Sequence, residues 1–392
     1  MGRLMRNLRD AIPEERKAFE TKTTVIFMKH IIPDLVFEND THVIIENPDF
    51  ADLDKLYEGR VARYGDYHAH SKSGGTSDGQ TTPTEWLEAM KELKIDFVGL
   101  MDHRQVRHMY LPEFDPEYFI YGTEPSGQWH EPHTSCHYLM IFKDKETLAR
   151  EILEKFPEEY RFTGGIDGTY EYVRMDRSRF IEICNAVRAA GGAIVCAHPK
   201  QRIESDDPEH FFLGNGTAMD TIYTYGGIDQ LNPWTIDNYR MWMRMLDLGM
   251  KVYNTATSDV HGKPDNMGLN TVYAARKHCV EYVDRLLAGD LNAGYVGIKM
   301  SLGGAPVGAT VPYADGMELL IKVDDAHPLV YKKDEAHRLD ILSDKGLVCS
   351  VQLADGKAEV AVKAEKRRFY RAVVIRESDG SPAAIGNPIW LE

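Results

Sequence analysis

Two patterns of apolar and polar positions divide this chain of 392 residues. From about residue 61, stretches with helical spacing are each followed by a short strand-like run. In "TTPTEWLEAMKELKIDFVGLMDH", Thr82 can cap a helix, Pro83 suits its first position and Glu85 completes a capping box. Trp86, Met90 and Leu93 then fall on one helical face. The apolar run "FVGLM" follows and ends at Asp102 and His103. The order recurs in "SRFIEICNAVRAAGGAIVCAHP", where a helix from about Ser178 stops at a Gly-Gly pair and a strand leads to His198. It recurs again in "YRMWMRMLDLGMKVYNTATSDVH", where a helix stops at Gly249 and a strand leads to Asp259 and His261. "EYFIYGTE" likewise ends on Glu124. Helix alternating with buried strand predicts parallel βα units. Such folds gather ligand and catalytic groups at the C-terminal ends of their strands. Four strands that each end on His, Asp or Glu therefore predict a site.

Past about residue 294 the pattern changes. "VGIKMSLGG", "MELLIKV", "LVCSVQLADGKAEVAVKA" and "YRAVVIRE" are short, often alternating runs parted by glycine turns. Asp355-Gly356 is a two-residue hairpin signal. The region reads as a small antiparallel β-sandwich of about 100 residues. Residues 1–60 combine a charged start with two strand-like runs, "TTVIF" and "HVIIE". The expected division is a lead-in over 1–60, an α/β barrel over 61–292 and the sandwich over 293–392.

Composition narrows the partners. A formal net charge of −15 argues against a sequence-independent grip on nucleic acid, which needs a basic face. A small anionic substrate is still allowed, because local charge in a pocket can oppose the global sign. Cys136, Cys184, Cys196, Cys279 and Cys349 are scattered and odd in number, which reads as reduced thiols in a cytoplasmic protein. The first twenty residues lack the apolar core of a secretory signal, and no run approaches the roughly 20 apolar residues of a membrane span. Nothing in the composition opposes a homo-oligomer.

The histidines are unevenly spread, with seven of fifteen between His68 and His137. "GDYHAHSKSGGTSDG" sets His68 and His70 two apart, so on a strand both imidazoles face one side. In chain order the candidate ligands are His68, His70, Asp78, His103, Glu124, His137, His198, Asp259 and His261. Mixed imidazole and carboxylate sets suit zinc, manganese or iron. Such ions can activate water at neutral pH and polarise a scissile oxygen, with no separate Ser or Cys nucleophile. Ser258, beside Asp259, is read as a residue that orients the turn.

"HAHS", "LMDH", "GTE", "AHP" and "SDVH", in this order and at element ends, resemble the motif series of the PHP (polymerase and histidinol phosphatase) metallohydrolases. The resemblance spans roughly residues 61–290, and the β-rich remainder with its closing "GNPIWLE" is similar to the carbaryl-hydrolase-like branch of that family. It implies a distorted, TIM-like (β/α)7 barrel with a C-terminal antiparallel β-sandwich, and two or three divalent ions (Zn, Mn or Fe). By the resemblance His68, His70, Glu124 and Asp259 would hold one metal. Glu124, His137 and His198 would hold a second, with Glu124 bridging, and Asp78, His103 and His261 a third. Asp78 departs from the family pattern, because "KSGG" lengthens the loop before it. His137 is preferred over His130 and His133 because it directly precedes the apolar run "YLMIF".

For substrate, Lys200 and Arg202 in "HPKQR" and Arg104 and Arg107 in "DHRQVRH" are either rim cations for an anionic group or solvated loop charges. Trp129, His130 and His133 either line the pocket or belong to an ordered loop. Asp102 is either an orienting partner of a ligand or a plain strand-end residue. The expected function is a metal-dependent phosphoesterase acting on a small-molecule phosphate ester. Alternatives are a carboxylic-ester or carbamate hydrolase using the same metals, and a non-catalytic metal-binding protein. An amidohydrolase-type barrel also uses an early His-x-His, but would not explain Asp102-His103 closing the next strand.

Overall fold

Helix α1 (Pro83–Leu93) forms where its capping box and Pro83 predict. The Thr82 hydroxyl accepts from the Glu85 amide at 3.3 Å, and the Glu85 carboxylate accepts from the Thr82 amide at 2.8 Å. Trp86 and Met90 are buried, and the Trp86 indole donates to the His70 carbonyl at 3.1 Å. The apolar face of α1 is thereby fastened beside the strand that carries the His-x-His pair. The computed structural model describes residues 39–392 except 129–134, 158–159, 164–168, 173–176, 203–216, 225–233 and 265–266.

Seven strands follow one another across a curled sheet: β1 (Val61–Ala69), β2 (Phe97–Leu100), β3 (Phe119–Thr123), β4 (Ser135–Phe142), β5 (Ala193–Ala197), β6 (Ala218–Tyr223) and β7 (Tyr253–Thr257). The pairs β1/β2, β2/β3, β5/β6 and β6/β7 are parallel, as the alternation of helix and strand predicts. Helices α2 (Arg177–Ala189), α3 (Thr235–Asp247) and α4 (Cys279–Ala288) supply apolar faces to the same body. Beyond β7 the chain returns to the end of β1: the Asp259 amide donates to the His68 carbonyl at 3.0 Å and the His70 amide to the Val260 carbonyl at 2.9 Å. The curl makes a half-barrel.

Strand β4 departs from the all-parallel expectation, running antiparallel to both β3 and β5. Only eleven residues separate β3 from β4, and a short connection suits antiparallel pairing. The reversal has a use. His137, near the start of β4, comes to the same rim as the C-terminal ends of the parallel strands.

The main sheet does not stop at the barrel. Strand β8 (Asn270–Ala274) pairs antiparallel with β1, and β9 (Leu291–Gly294) joins it. Next to β9 comes the C-terminal part of the sheet, which uses β12 (His337–Ser343), β13 (Gly346–Gln352), β15 (Phe369–Arg376) and β16 (Pro382–Gly386). A separate antiparallel sheet holds β10 (Val296–Leu302), β11 (Glu318–Ala326) and β14 (Ala358–Lys363). The two share a core that includes Ile298, Ile321, Val362, Ile341 and Val374. The boundary expected at 292 falls inside β9, which is hydrogen-bonded on both sides.

Two local expectations need adjusting. Asp355 and Gly356 both take positive φ (52° and 77°), and Ala354 and Lys357 close the two-residue turn with reciprocal backbone hydrogen bonds of 2.9 and 3.0 Å, as the hairpin signal predicts, yet the pairing stops at that bridge. Strand β13 pairs with β12 and β14 with β11, so the turn carries the chain from one sheet to the other. "HVIIE" is not a strand; it makes one isolated bridge, Ile44 to Val362, with Val43 and Ile44 exposed. "TTVIF" lies outside the described residues. The described part of the lead-in includes the helix Ala51–Tyr57, whose Leu53 and Tyr57 pack on Tyr273, Leu320 and Ala361. Cys184, Cys196, Cys279 and Cys349 are free thiols. Among the described residues no helix is long and apolar enough to cross a membrane.

Candidate metal centre

Strand alternation turns His68 and His70 to one side of β1, and their Nε2 atoms stand 3.2 Å apart. Glu124 follows β3 and Asp259 follows β7. The His68 Nε2 lies 3.3 Å from Glu124 Oε2 and 3.3 Å from Asp259 Oδ1. The His70 Nε2 lies 3.4 Å and 2.9 Å from the same two oxygens. These separations of about 3 Å match the edge of a tetrahedron with its centre about 2 Å from each corner, the zinc–ligand distance. The donor set fits a divalent cation.

Glu124 faces two ways. Its Oε2 also meets His103 Nδ1 at 2.8 Å, while its Oε1 meets His137 Nδ1 at 2.8 Å and His198 Nε2 at 3.4 Å. The residue is fully buried, and neither oxygen makes a well-aligned hydrogen bond. A buried carboxylate without such donors is costly unless positive charge stands beside it. At the outer side, Asp78 Oδ1 lies 3.2 Å from His261 Nε2 and 3.7 Å from His103 Nε2. All nine side chains named from the sequence thus stand at one rim. The tightest groups are His68, His70, Glu124 and Asp259; His103, Glu124 and His137; and His70, Asp78, His103 and His261. His103 stands in two of these groups. His198 stands in none, reaching Glu124 and, at 3.6 Å, Asp259 Oδ2.

The charges at the rim are divided. Burial pushes Glu124 upward, but the imidazoles of His137, His68 and His103 outweigh it and hold the carboxyl well below its ordinary range. Asp259 is likewise held low, with His68 and His70 overcoming its burial. Burial alone would depress His68, yet Glu124 and Asp259 raise it to about 10. Burial wins at His198, lowering it to about 4, and at His70. At neutral pH those two are neutral imidazoles, the form a metal requires.

Backbone strain marks the same strand ends. His198 (φ 31°), Asp259 (φ 56°) and Arg104 (φ 51°) occupy the left-handed region without being glycine. Their neighbours hold them there. Asp220 accepts the His198 amide at 2.8 Å, and the Arg104 amide reaches the Glu124 carbonyl at 3.2 Å. Asp66 accepts the amides of His68 and Gly268, each at 2.9 Å, and the Ser258 hydroxyl. Ser258 therefore ties the turn before Asp259 to the strand before His68. Asp102 touches no candidate ligand side chain. It accepts the Ser71 amide and hydroxyl at 2.6 and 2.7 Å and faces His108 Nδ1 at 3.0 Å, pinning the start of the loop that carries Asp78.

Gly268 shows how little space this arrangement leaves. A Cβ there would stand 2.1 Å from the Thr257 carbonyl carbon and 2.2 Å from its Cα, both backbone atoms two residues before Asp259. Gly268→Ala is expected to destabilise the fold by about 1–3 kcal/mol or more and to weaken divalent-metal binding in parallel. Thermal unfolding with and without added metal checks both.

The substrate candidates are less well defined. Lys200 lies in the turn of helix Pro199–Arg202, its amide donating to Asn238 Oδ1 at 2.9 Å, with its side chain half-buried. Arg104 is half-buried beside His103. The Arg202 side chain, and Trp129, His130 and His133 altogether, lie outside the described residues. Sequence reasoning missed Asp66, Asp220 and Tyr223. The last donates its hydroxyl to Asp259 Oδ2 at 2.9 Å. Its strand, "AMDTIY", is buried throughout but carries Asp220 and Thr221 in its middle, so it lacks the apolar run that marks the other strand ends.

No family model and no curated protein matches this chain. Among solved structures it is similar to a two-domain protein from Bacteroides vulgatus containing a predicted PHP-like metal-dependent phosphoesterase, at 14% identity over 90% of this chain and 98% of that one, with a TM-score of 0.42. It is similar to an amidohydrolase from Chromobacterium violaceum at 16% identity over 57% of this chain and 96% of that one, TM-score 0.38. It is also similar to the lesion-specific endonuclease Q from Pyrococcus furiosus at 16% identity over 58% and 56% of the two chains, TM-score 0.41.

Proposed function

We propose that this chain is a PHP-type metal-dependent hydrolase that cleaves a phosphate ester of a small anionic molecule. The observation that carries the reading is Glu124, a buried carboxylate whose two oxygens face different imidazoles. In this reading His68, His70, Glu124 and Asp259 would hold one divalent ion. Glu124 would share a second with His103 and His137, with His198 beside it, and Asp78 and His261 would complete the outer side. Zinc, manganese or iron suits this set. The chemistry divalent ions supply in such a cage is Lewis acidity, which activates water near neutral pH and polarises the scissile oxygen.

The chain's own part is to fix charge and geometry before substrate arrives. Glu124 and Asp259 supply the negative charge that gathers the cations. His198 and His70 stay unprotonated at neutral pH and present lone pairs. Lys200, Arg202, Arg104 and His133 are proposed to meet the anionic end of the substrate. The β-rich C-terminal region with its closing "GNPIWLE" favours the carbaryl-hydrolase-like branch, so aryl esters and carbamates belong in the test.

The test is turnover of a panel of phosphomonoesters, phosphodiesters, aryl esters, aryl carbamates and a DNA duplex, with manganese or zinc and then with chelator. The expected result is metal-dependent turnover of phosphoesters. Turnover of aryl esters or carbamates alone would move the reading to that chemistry. No turnover by protein shown to hold metal would overturn it.

A further inference from the structure

Tyr223 closes strand β6, a strand with no expected ligand of its own, yet its hydroxyl enters the rim. Strict alternation would turn Asp220 and Tyr223, three residues apart, to opposite faces. The register of β6 against β7 slips here: Thr255 pairs with Asp220 but the next residue, Ala256, pairs with Ile222. The extra residue, Thr221, makes a bulge, and bulges re-aim the side chains that follow them. As a result Asp220 and Tyr223 both serve the rim.

Each holds one of the two strained strand ends that flank β6. Asp220 takes the His198 amide through Oδ2, and Thr257 and Thr255 donate to it at 2.7 and 2.8 Å. The Tyr223 hydroxyl donates to Asp259 Oδ2, and its ring lies 5.2 Å from the His198 ring, centroid to centroid. Tyr223 is itself pinned: its amide donates to Thr235 Oγ1 at 3.0 Å, and that hydroxyl donates to the Tyr223 carbonyl at 3.2 Å. Asp259 is thereby divided, with Oδ2 kept by the phenol and Oδ1 presented to His70 and His68.

We infer that Tyr223 is a positioning residue of the metal centre, holding Asp259 so that one oxygen alone is offered to a divalent cation, with Asp220 fixing His198 from the same bulged strand. The inference rests on the metal-centre reading proposed above. Carboxylates that ligate metals are themselves oriented by hydrogen bonds, and loss of such a partner commonly weakens metal binding about 10–100-fold.

The experiment uses the full chain, stripped of metal and titrated with Zn²⁺ and with Mn²⁺ against a competing chromophoric chelator. Tyr223→Phe is compared with wild type and with Tyr273→Phe, which removes a hydroxyl bonded to Asp325 away from the rim. Tyr223→Phe is expected to weaken one metal equivalent about 10–100-fold, while Tyr273→Phe leaves all affinities unchanged. The metal-free unfolding midpoints of the two variants should fall by similar small amounts. Equal metal affinity in wild type and Tyr223→Phe would overturn the inference and leave the centre standing. A wild-type chain that binds neither ion would overturn both. A Tyr223→Phe variant whose metal loss is matched by an equal loss of metal-free stability would make the tyrosine merely structural, against the inference.

Discussion

Glu124→Gln is expected to lower metal-dependent ester turnover by about 10³-fold and to remove at least one equivalent of bound metal. The substitution keeps the shape of the side chain, so packing is preserved and charge is what changes. In the native chain one fully buried carboxylate stands within 3.4 Å of five imidazoles, those of His68, His70, His103, His137 and His198. An amide offers one weaker acceptor and, on its other side, an N–H₂ group that meets an imidazole where a cation is proposed to sit. Both adjoining groups lose their shared anion together, so the loss should exceed that from removing a ligand at the outer side. Asp78→Asn is the comparison, because Asp78 is largely exposed and, among the described residues, its ion pairs are with His103 and His261 on the outer side. Elemental analysis and kcat/KM on the same preparations give the answer. A Glu124→Gln chain with full metal content and undiminished turnover would remove the shared carboxylate from the mechanism.

The residues at this rim were legible in the sequence because a strand end is a local event. An apolar run of four or five residues followed by His, Asp or Glu sets both the strand and the direction of the residue after it. Asp102-His103, Glu124 and His198 follow that rule, and Asp259 closes a more polar strand that starts after the Gly249 helix stop. The helix at Pro83 was legible for the same reason, since its caps lie within four residues of one another. Grouping was less legible. Which oxygen of Glu124 faces which imidazole depends on β4 running backwards, and strand direction is settled by the connection and by neighbours far along the chain.

The same division explains the C-terminal β-rich region. Asp355-Gly356 fixes a tight turn locally, whatever its surroundings. Whether the strands on either side pair with each other depends on which apolar faces meet. Here Val360 and Val362 of β14 sit in register with Ile321 and Leu319 of β11, while β13 lies against β12. Turn chemistry does not choose between those partners. Tyr223 was hidden by a third cause, a bulge that breaks the period of two on which reading a strand depends.

Stripping the divalent ions with a chelator should abolish turnover and lower the unfolding temperature, with a gap that widens as pH rises. Without cations, the positive charge facing Glu124 and Asp259 must come from protonated imidazoles. His68 is raised to about 10 and His261 to about 9, burial notwithstanding, by Glu124 with Asp259 and by Asp78 with Asp259 respectively. A histidine raised in the folded state contributes stability that is complete below its ordinary value of about 6.5 and is lost as pH climbs through the folded value. The metal-free chain should therefore weaken between about pH 6.5 and 10. Cations compete with those same protons, so their binding strengthens over that range. At a thousandfold excess over Kd, one bound ion adds about 4 kcal/mol to the folded state. His198 works in the opposite direction at low pH: held neutral down to about 4 by burial, it costs stability as pH falls below 6.5. Melting curves at pH 6.5 and pH 9, with zinc or manganese and with chelator, separate these contributions. A gap that is constant or narrows from pH 6.5 to 9 would mean that cations and imidazole protons do not compete at this rim.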